Sequence, residues 1–407
     1  MIDAQYYSEK RVNDIRNPRR LVAVGDKFGY DYDIVRPGVT AFGTARYRRG
    51  RWTLNSAGEL SFGALWRRGH YENAVFTGVA SFGRSDRYNL TTYNLGLSAV
   101  YSFSVNHRVA VCGNIQECEP ETGDVFLSPE CHNYGASAVN NFNLGGEIRY
   151  EGFFAGVVRI EASAYLARER RGAEILRYYD DLYADYTADN LSGYSIMTMK
   201  GVTRNMGGLE VAINVDITPR LNLRGMAAFN RYVYVGDPEV GIASDANLQS
   251  RLVGSSAKLG GYVAGDSPQT MAAVSMRYNA PSRWRLEVTL SYAGDRYVSI
   301  SPVRRTQRIA FLATSPEESA AFATQERLPD AYSLNAYISK GFTLFGINFF
   351  CSLSANNILD KDIIYGGYEQ NRIRKEGSGV NRTYKPFPSK YAYAYPRSFY
   401  AMLSVNF

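Results

Sequence analysis

The stretch R-W-R-L-E-V-T-L-S-Y, Arg283 to Tyr292, decides the fold class. Its odd members, Arg283, Arg285, Glu287, Thr289 and Ser291, are polar, while Trp284, Leu286, Val288, Leu290 and Tyr292 are apolar or aromatic. Strict alternation has the two-residue period of a β-strand whose faces meet different surroundings. Tyr93 to Phe103 and Leu209 to Ile217 repeat it: Leu95, Leu97 and Tyr101 oppose Asn94, Ser98 and Ser102, and Val211, Ile213 and Val215 oppose Glu210, Ala212, Asn214 and Asp216. Such an apolar face packs on a second sheet in a soluble sandwich, or faces lipid while the polar face lines a lumen.

The connections choose between the two. Reading from Thr40 onward gives about 13 strands. Short connections fall at Arg48 to Arg51, Ser104 to His107, Glu151 to Phe154, Thr218 to Arg220, Asn279 to Ser282 and Gly341 to Gly346. Long ones fall between them, at Arg67 to Leu90, Asn114 to Asn141, Arg168 to Tyr194, Val235 to Pro268, Val298 to Pro329 and Asp360 to Tyr395. Strict alternation puts every long loop at one end, as in outer-membrane barrels with periplasmic turns and extracellular loops. Loops of this length on one side of a sandwich are unusual. The tryptophans agree: Trp52 and Trp284 follow short turns and Trp66 precedes a long loop, the positions of interfacial girdles. The expected fold is therefore all-β, a transmembrane antiparallel barrel.

Composition excludes other classes. In 407 residues there are 32 Tyr against 3 His and 4 Cys, and no apolar run approaches the length of a membrane-spanning helix. Met1 to Lys10 lacks the layout of a signal peptide, so a mature or truncated chain is expected. The net charge of +7 is spread over turns and alternating positions rather than gathered in a stripe, which argues against nucleic acid. No HExxH, CxxC or nucleophile elbow is present, and His70 with Asp86 is the one acid–base pair that can be drawn. No enzyme activity, cofactor or metal is expected.

The last strand alternates Phe399, Ala401, Leu403, Val405 and Phe407 with Ser398, Tyr400, Met402, Ser404 and Asn406. This tail, Tyr395 to Phe407, resembles the terminal assembly signal read by the barrel-assembly machinery of outer membranes. S-A-N-N-I-L-D-K-D, Ser354 to Asp362, looks like the N-[LI]-[LF]-D-K stretch of TonB-dependent receptors, and G-G-Y-E-Q, Gly366 to Gln370, is similar to a stretch associated with those of Bacteroidetes. The resemblance implies a barrel of about 22 strands closed by a plug domain. It also implies active import of an unidentified ligand, powered by the inner-membrane TonB complex, in the bacterial outer membrane. On this reading residues 1–38 form an extracellular loop segment, residues 39–407 the C-terminal portion of the barrel, and the plug lies outside the chain. An odd set of about 13 strands cannot close with antiparallel neighbours, so an incomplete barrel is expected. A hidden strand near Leu21 to Val24 would instead make a complete 14-stranded passive channel. An outer-membrane enzyme is the third alternative.

Three further groups are candidates. The loop from Glu174 to Tyr186 holds Tyr178, Tyr179, Asp180, Asp181, Tyr183, Asp185 and Tyr186, aromatic faces with polar tips suited to ligand contact. Self-packing of the loop, or Ca²⁺ at Asp180, Asp181 and Asp185, are the competing readings. Cys118 and Cys131 share one loop and are read as a disulfide, against two unrelated thiols. Cys112 and Cys351 are read as small lipid-facing or packing residues. By parity Glu147, Arg149, Arg159, Glu161, Glu210, Arg224, Arg285 and Glu287 face the lumen, bracing the wall or meeting a plug.

Overall fold

The computed structural model describes residues 7–8, 14–17, 21–133, 140–184, 193–265, 267–313, 315–377 and 382–406. Among them, the alternating stretches form one antiparallel meander of long strands: β1 (Gly38–Arg49), β2 (Trp52–Gly69), β3 (Tyr88–Ser102), β4 (His107–Cys118), β5 (Asn141–Phe154), β6 (Val158–Arg170), β7 (Thr203–Asp216), β8 (Leu221–Tyr234), β9 (Thr270–Ala280), β10 (Trp284–Gly294), β11 (Ala331–Leu344), β12 (Ile347–Asn356) and β13 (Ser398–Asn406). Each pairs with its sequence neighbours. Such a hairpin walk satisfies nearly every backbone donor and acceptor locally, the requirement of a wall in lipid.

Register confirms the two faces. Leu290 lies opposite Val274 on one side and Leu334 on the other, while Glu287 lies between Arg277 and Tyr337. Trp284, Leu286, Val288 and Leu290 are between 39 and 48 % exposed, as expected of side chains whose partner is lipid. They are not buried between two sheets. On the opposite face, the Glu287 carboxylate accepts from Arg277 Nε at 2.9 Å and Arg285 Nη2 at 2.8 Å, a cross-strand brace at the expected lumen positions. Cys112 lies in register with Ser98 and Glu147 and so faces the lumen, which corrects its lipid-facing reading; Cys351, opposite Lys340 and Leu403, is on the outer face.

The turns are tight where expected, with small shifts. At β11–β12, Phe345 and Gly346 both have positive φ, 51° and 80°, the two-residue turn that matches strand twist. Glu151 to Phe154 is strand rather than turn, and the chain reverses at residues 155–157. At Gly152 the missing Cβ leaves room for the rings of Tyr150 and Phe154.

The wall is open. Among the described residues β1 pairs only with β2, and β13 only with β12. Leu21–Val22 pairs with Tyr7–Ser8 away from the wall, so it does not supply the fourteenth wall strand. Tyr32–Val35 continues β1 backwards in the same register against β2, interrupted at Arg36 and Pro37. That ladder lies within the segment read as loop, residues 1–38.

The candidate functional site at the interlocked loops

Every long connection emerges at the same end of the wall, and the loops pack on one another. Loop residues Ala173–Tyr179, Tyr194–Lys200, Glu239–Ser244 and Ser250–Ser256 form a separate four-stranded sheet. Its inward side chains, Met197, Met199, Val240 and Ile242, make a core with Ile300 and Val303 from the loop preceding β11. Burial of this kind removes solvent-exposed apolar surface that the wall itself cannot cover. A bridge from Ala257 to Thr306 and another from Ser299 to Tyr368 extend the assembly to the last long loop.

The Tyr- and Asp-rich segment sits at the centre of this assembly. Tyr178 belongs to the loop core and is 6 % exposed; burial and the Asp180 charge push its hydroxyl far above the ordinary phenol range. Asp180 is 3 % exposed. Its carboxylate accepts from Arg308 Nη1 at 2.9 Å and Ser195 Oγ at 3.1 Å. Asp181 accepts from Arg372 Nη2 at 2.6 Å and from the Ile373 backbone at 3.2 Å. Arg372 also covers the ring of Tyr179, which meets Tyr194 edge-on at 5.3 Å. Thus Asp180 and Asp181 join three loops that are distant in sequence. Tyr183 lies in the helical turn Asp181–Ala184. Asp185 and Tyr186 lie outside the described residues. Among the described residues no three metal-ligating side chains converge.

Sequence reasoning missed the most deeply buried ion pair among the described residues. Glu369, within G-G-Y-E-Q, receives both guanidinium nitrogens of Arg305, Nη2 at 2.8 Å, and the Ser301 N–H at 2.9 Å. Arg305 and Glu369 side chains are each 2 % exposed. Arg304 beside them donates to the carbonyls of Gln370 and Phe387, and burial lowers its pKa. The signal was present as the only Arg-Arg pair in that loop, but its partner lies 64 residues away. The N-I-L-D-K stretch is likewise structural: Asn357, at φ 48°, ends β12 and donates to the Lys361 carbonyl at 2.9 Å, and Asp360 accepts from the Arg397 backbone at the entry to β13.

Cys118 and Cys131 are both free thiols, which corrects the disulfide reading. Cys118 is held as the last rung of β4 opposite Asn141, whereas Cys131 is fully buried, its thiol raised by burial, in the pocket that also holds Arg67. Spacing allowed a bridge, but one thiol sits at the end of a wall strand and the other is buried beside Arg67. His70 does not pair with Asp86 but meets Asp33 Oδ2 at 2.8 Å, and His107 meets the Tyr150 hydroxyl at 2.8 Å.

Below the loops the inner face has several hollows. One of about 620 Å³ is lined by Glu161, Ser163, Glu210, Met226, Met271 and Ile363. Another of about 970 Å³ is lined by Arg46, Asn55, Ser98, Cys112, Glu147 and Tyr165. A polar, charged inner wall beneath a packed loop roof suits a passage for a polar solute.

No protein-family model and no curated protein matches the chain. Solved structures do. The ferric-catecholate import receptor Fiu of E. coli K12 superposes with a TM-score of 0.55 at 13 % identity, over 93 % of this chain and 45 % of that one. The fold is that of a transmembrane antiparallel β-barrel wall. The ferric yersiniabactin uptake receptor FyuA of Yersinia pestis gives 0.56 at 12 % identity, over 92 % of this chain and 46 % of that one. The copper transporter OprC gives 0.56 at 12 %, over 91 % and 48 %. This chain therefore spans about half the length of these barrel chains. No helix among the described residues is long and apolar enough to cross a membrane.

Proposed function

We propose that the chain is the C-terminal wall and loop portion of a TonB-dependent receptor of the outer membrane, of the type found in Bacteroidetes. Its parent imports a scarce ligand, with a plug domain and the TonB contact supplied from outside this chain. The observation that carries the reading is the open meander with a charged inner face beneath loops that share one core. A passive channel needs closure, and an enzyme needs an acid and base that converge. Within the Glu174 to Tyr186 segment, ligand contact falls to Tyr179, Tyr183, Asp185 and Tyr186 together with neighbouring loop tips. Tyr178, Asp180 and Asp181 serve the loop framework instead. The wall meets lipid on its outer face, and the tail containing Phe399, Ala401, Leu403, Val405 and Phe407 is the handle for the assembly machinery.

The test is made in cells that carry the parent gene. The reading expects outer-membrane partition, cleavage by external protease confined to the long loops, and a growth defect of the deletion strain when iron, copper or a glycan is limiting. Rescue by the gene should require TonB. Recovery in the soluble fraction, external cleavage at the short turns, or rescue without TonB would overturn it.

A further inference from the structure

Several arginines of the loop end have an acidic partner: Arg16 has Glu72, Arg36 has Glu119, and Arg171 has Glu169 and Glu121. One group on the outward face does not. Trp66 follows Leu60 and Phe62 outward along β2, by parity, at the loop end of the apolar band. Arg84 and Arg87 both lie over its indole, their guanidinium carbons 4.2 and 6.0 Å from the ring centroid. Arg68, on the same face, stands directly opposite Arg84 in the ladder. Like charges directly opposite each other destabilise a sheet, and none of the three arginines forms an ion pair among the described residues. Asp33, opposite Arg68, is held by His70, and Asp86 lies between Arg84 and Arg87 in the chain, so the patch keeps an excess of positive charge. The pattern recurs farther round the wall, where Arg168, Arg170 and Arg231 are exposed on the outward face at the loop end.

We propose that this rim binds phosphorylated lipid headgroups of the outer leaflet, with Trp66, Arg84, Arg87 and Arg68 forming one site. Guanidiniums stacked on an aromatic ring are pre-ordered and bind phosphate with two parallel N–H donors, and a phosphate would relieve the repulsion between them. Exposed Leu60, Phe62 and Val39 lie directly below, where the acyl chains of the same lipid would run. The inference rests on the outer-membrane reading but goes beyond it, since import does not require a lipid site.

The test uses the full-length protein in neutral detergent micelles, titrated with diphosphorylated lipid A and followed by native mass spectrometry. Each basic side chain near an anionic lipid surface is worth about fivefold in binding, so R84Q/R87Q should weaken retention about 30-fold. Arg49→Gln, outward at the short-turn end, should leave it unchanged, and R84K/R87K should recover part of it. Heat-modified gel mobility verifies that each variant is a folded barrel. Equal retention by R84Q/R87Q would overturn the site, as would equal displacement by free pyrophosphate, which would mark a soluble-anion site. Failure of the wild type to enter micelles would overturn both this inference and the outer-membrane reading; retention lost equally in Arg49→Gln would overturn this inference alone.

Discussion

Replacing Glu369 by Gln tests whether the loop roof is held by buried charge. The carboxylate is the anion for Arg305 and, at 3.9 Å, for Arg304, whose side chains are 2 and 6 % exposed. Gln keeps the shape and can accept from Ser301, but its amide N–H₂ would face the Arg305 donors and its neutral group leaves two buried guanidiniums uncompensated. Removing one partner of a buried pair costs about 3–5 kcal/mol. At 1.36 kcal/mol per tenfold, that raises local opening by roughly two to four decades. The wall does not share this contact, so the loss is local. Hydrogen exchange should read it at the rungs joining the loops, Ser299 N to Gly367 O and Glu369 N to Ser299 O, each 2.9 Å. Protection there should fall at least a hundredfold while residues 331–344 keep theirs. A second change, Arg305→Met in the E369Q background, should restore part of the protection. Unchanged protection at the two rungs, or equal loss in the wall, would show that the apolar loop core alone holds the roof.

Leu290→Arg on the lipid face should cost about 2–4 kcal/mol, and Thr289→Arg on the lumen face well under 1 kcal/mol, by urea unfolding in lipid; equal costs would mean that the faces are misassigned. His132 docks its loop on the preceding one, N–H to Ala80 O at 2.7 Å and Nδ1 to Val79 O at 3.0 Å. Burial, then the charge of Arg67, hold its pKa below the ordinary imidazole value. The undocked loop therefore takes a proton first, so docking weakens as pH falls below about 6.5. Limited proteolysis of residues 119–133 should accelerate there, and His132→Gln should remove that dependence. Alkylation of the native protein should label Cys112 readily and spare Cys131 until denaturant is added; a mass two hydrogens short, with neither Cys118 nor Cys131 labelled, would reinstate the bridge.

The wall was legible because one physical contrast, lipid against lumen, repeats every second residue over strands of nine residues or more. Trp284 to Tyr292 needs no knowledge of its neighbours to be read. The loops carry the same chemistry without the same visibility. Tyr178 and Asp180 read as an exposed cluster because tyrosine and aspartate are surface residues on average, yet Tyr178 lies on the inward face of the strand Ala173–Tyr179 and Asp180 just past its end, and the partner strand, Tyr194–Lys200, begins beyond residues 185–192. Their fate is set by Arg308, 128 positions away, and by Met197. Local spacing holds no record of such contacts. The same limit explains the cysteines, whose spacing of 13 positions looks like a closable loop, while in the structure Cys118 ends a wall strand and Cys131 is buried beside Arg67.

The two edges of the wall carry the remaining constraint. β1 enters from the loop end at Gly38 and β13 from the loop end at Ser398, so both run toward the short turns. A closing set with antiparallel neighbours at both edges must therefore hold an odd number of strands, and a barrel of about 22 needs nine. β13 presents Phe399 and Leu403 outward, 67 and 64 % exposed, beside a row of backbone groups with no ladder partner among the described residues. In lipid each such group costs several kcal/mol, and in water the row is a template for aggregation. The assembled receptor should thus pair both edges. Every second amide of Ser398–Asn406, those turned away from β12, should exchange as slowly as amides in β7 when the parent protein is inserted in a membrane. Fast exchange along that edge in the inserted parent would mean that the wall works open, and the closed receptor barrel would have to be abandoned.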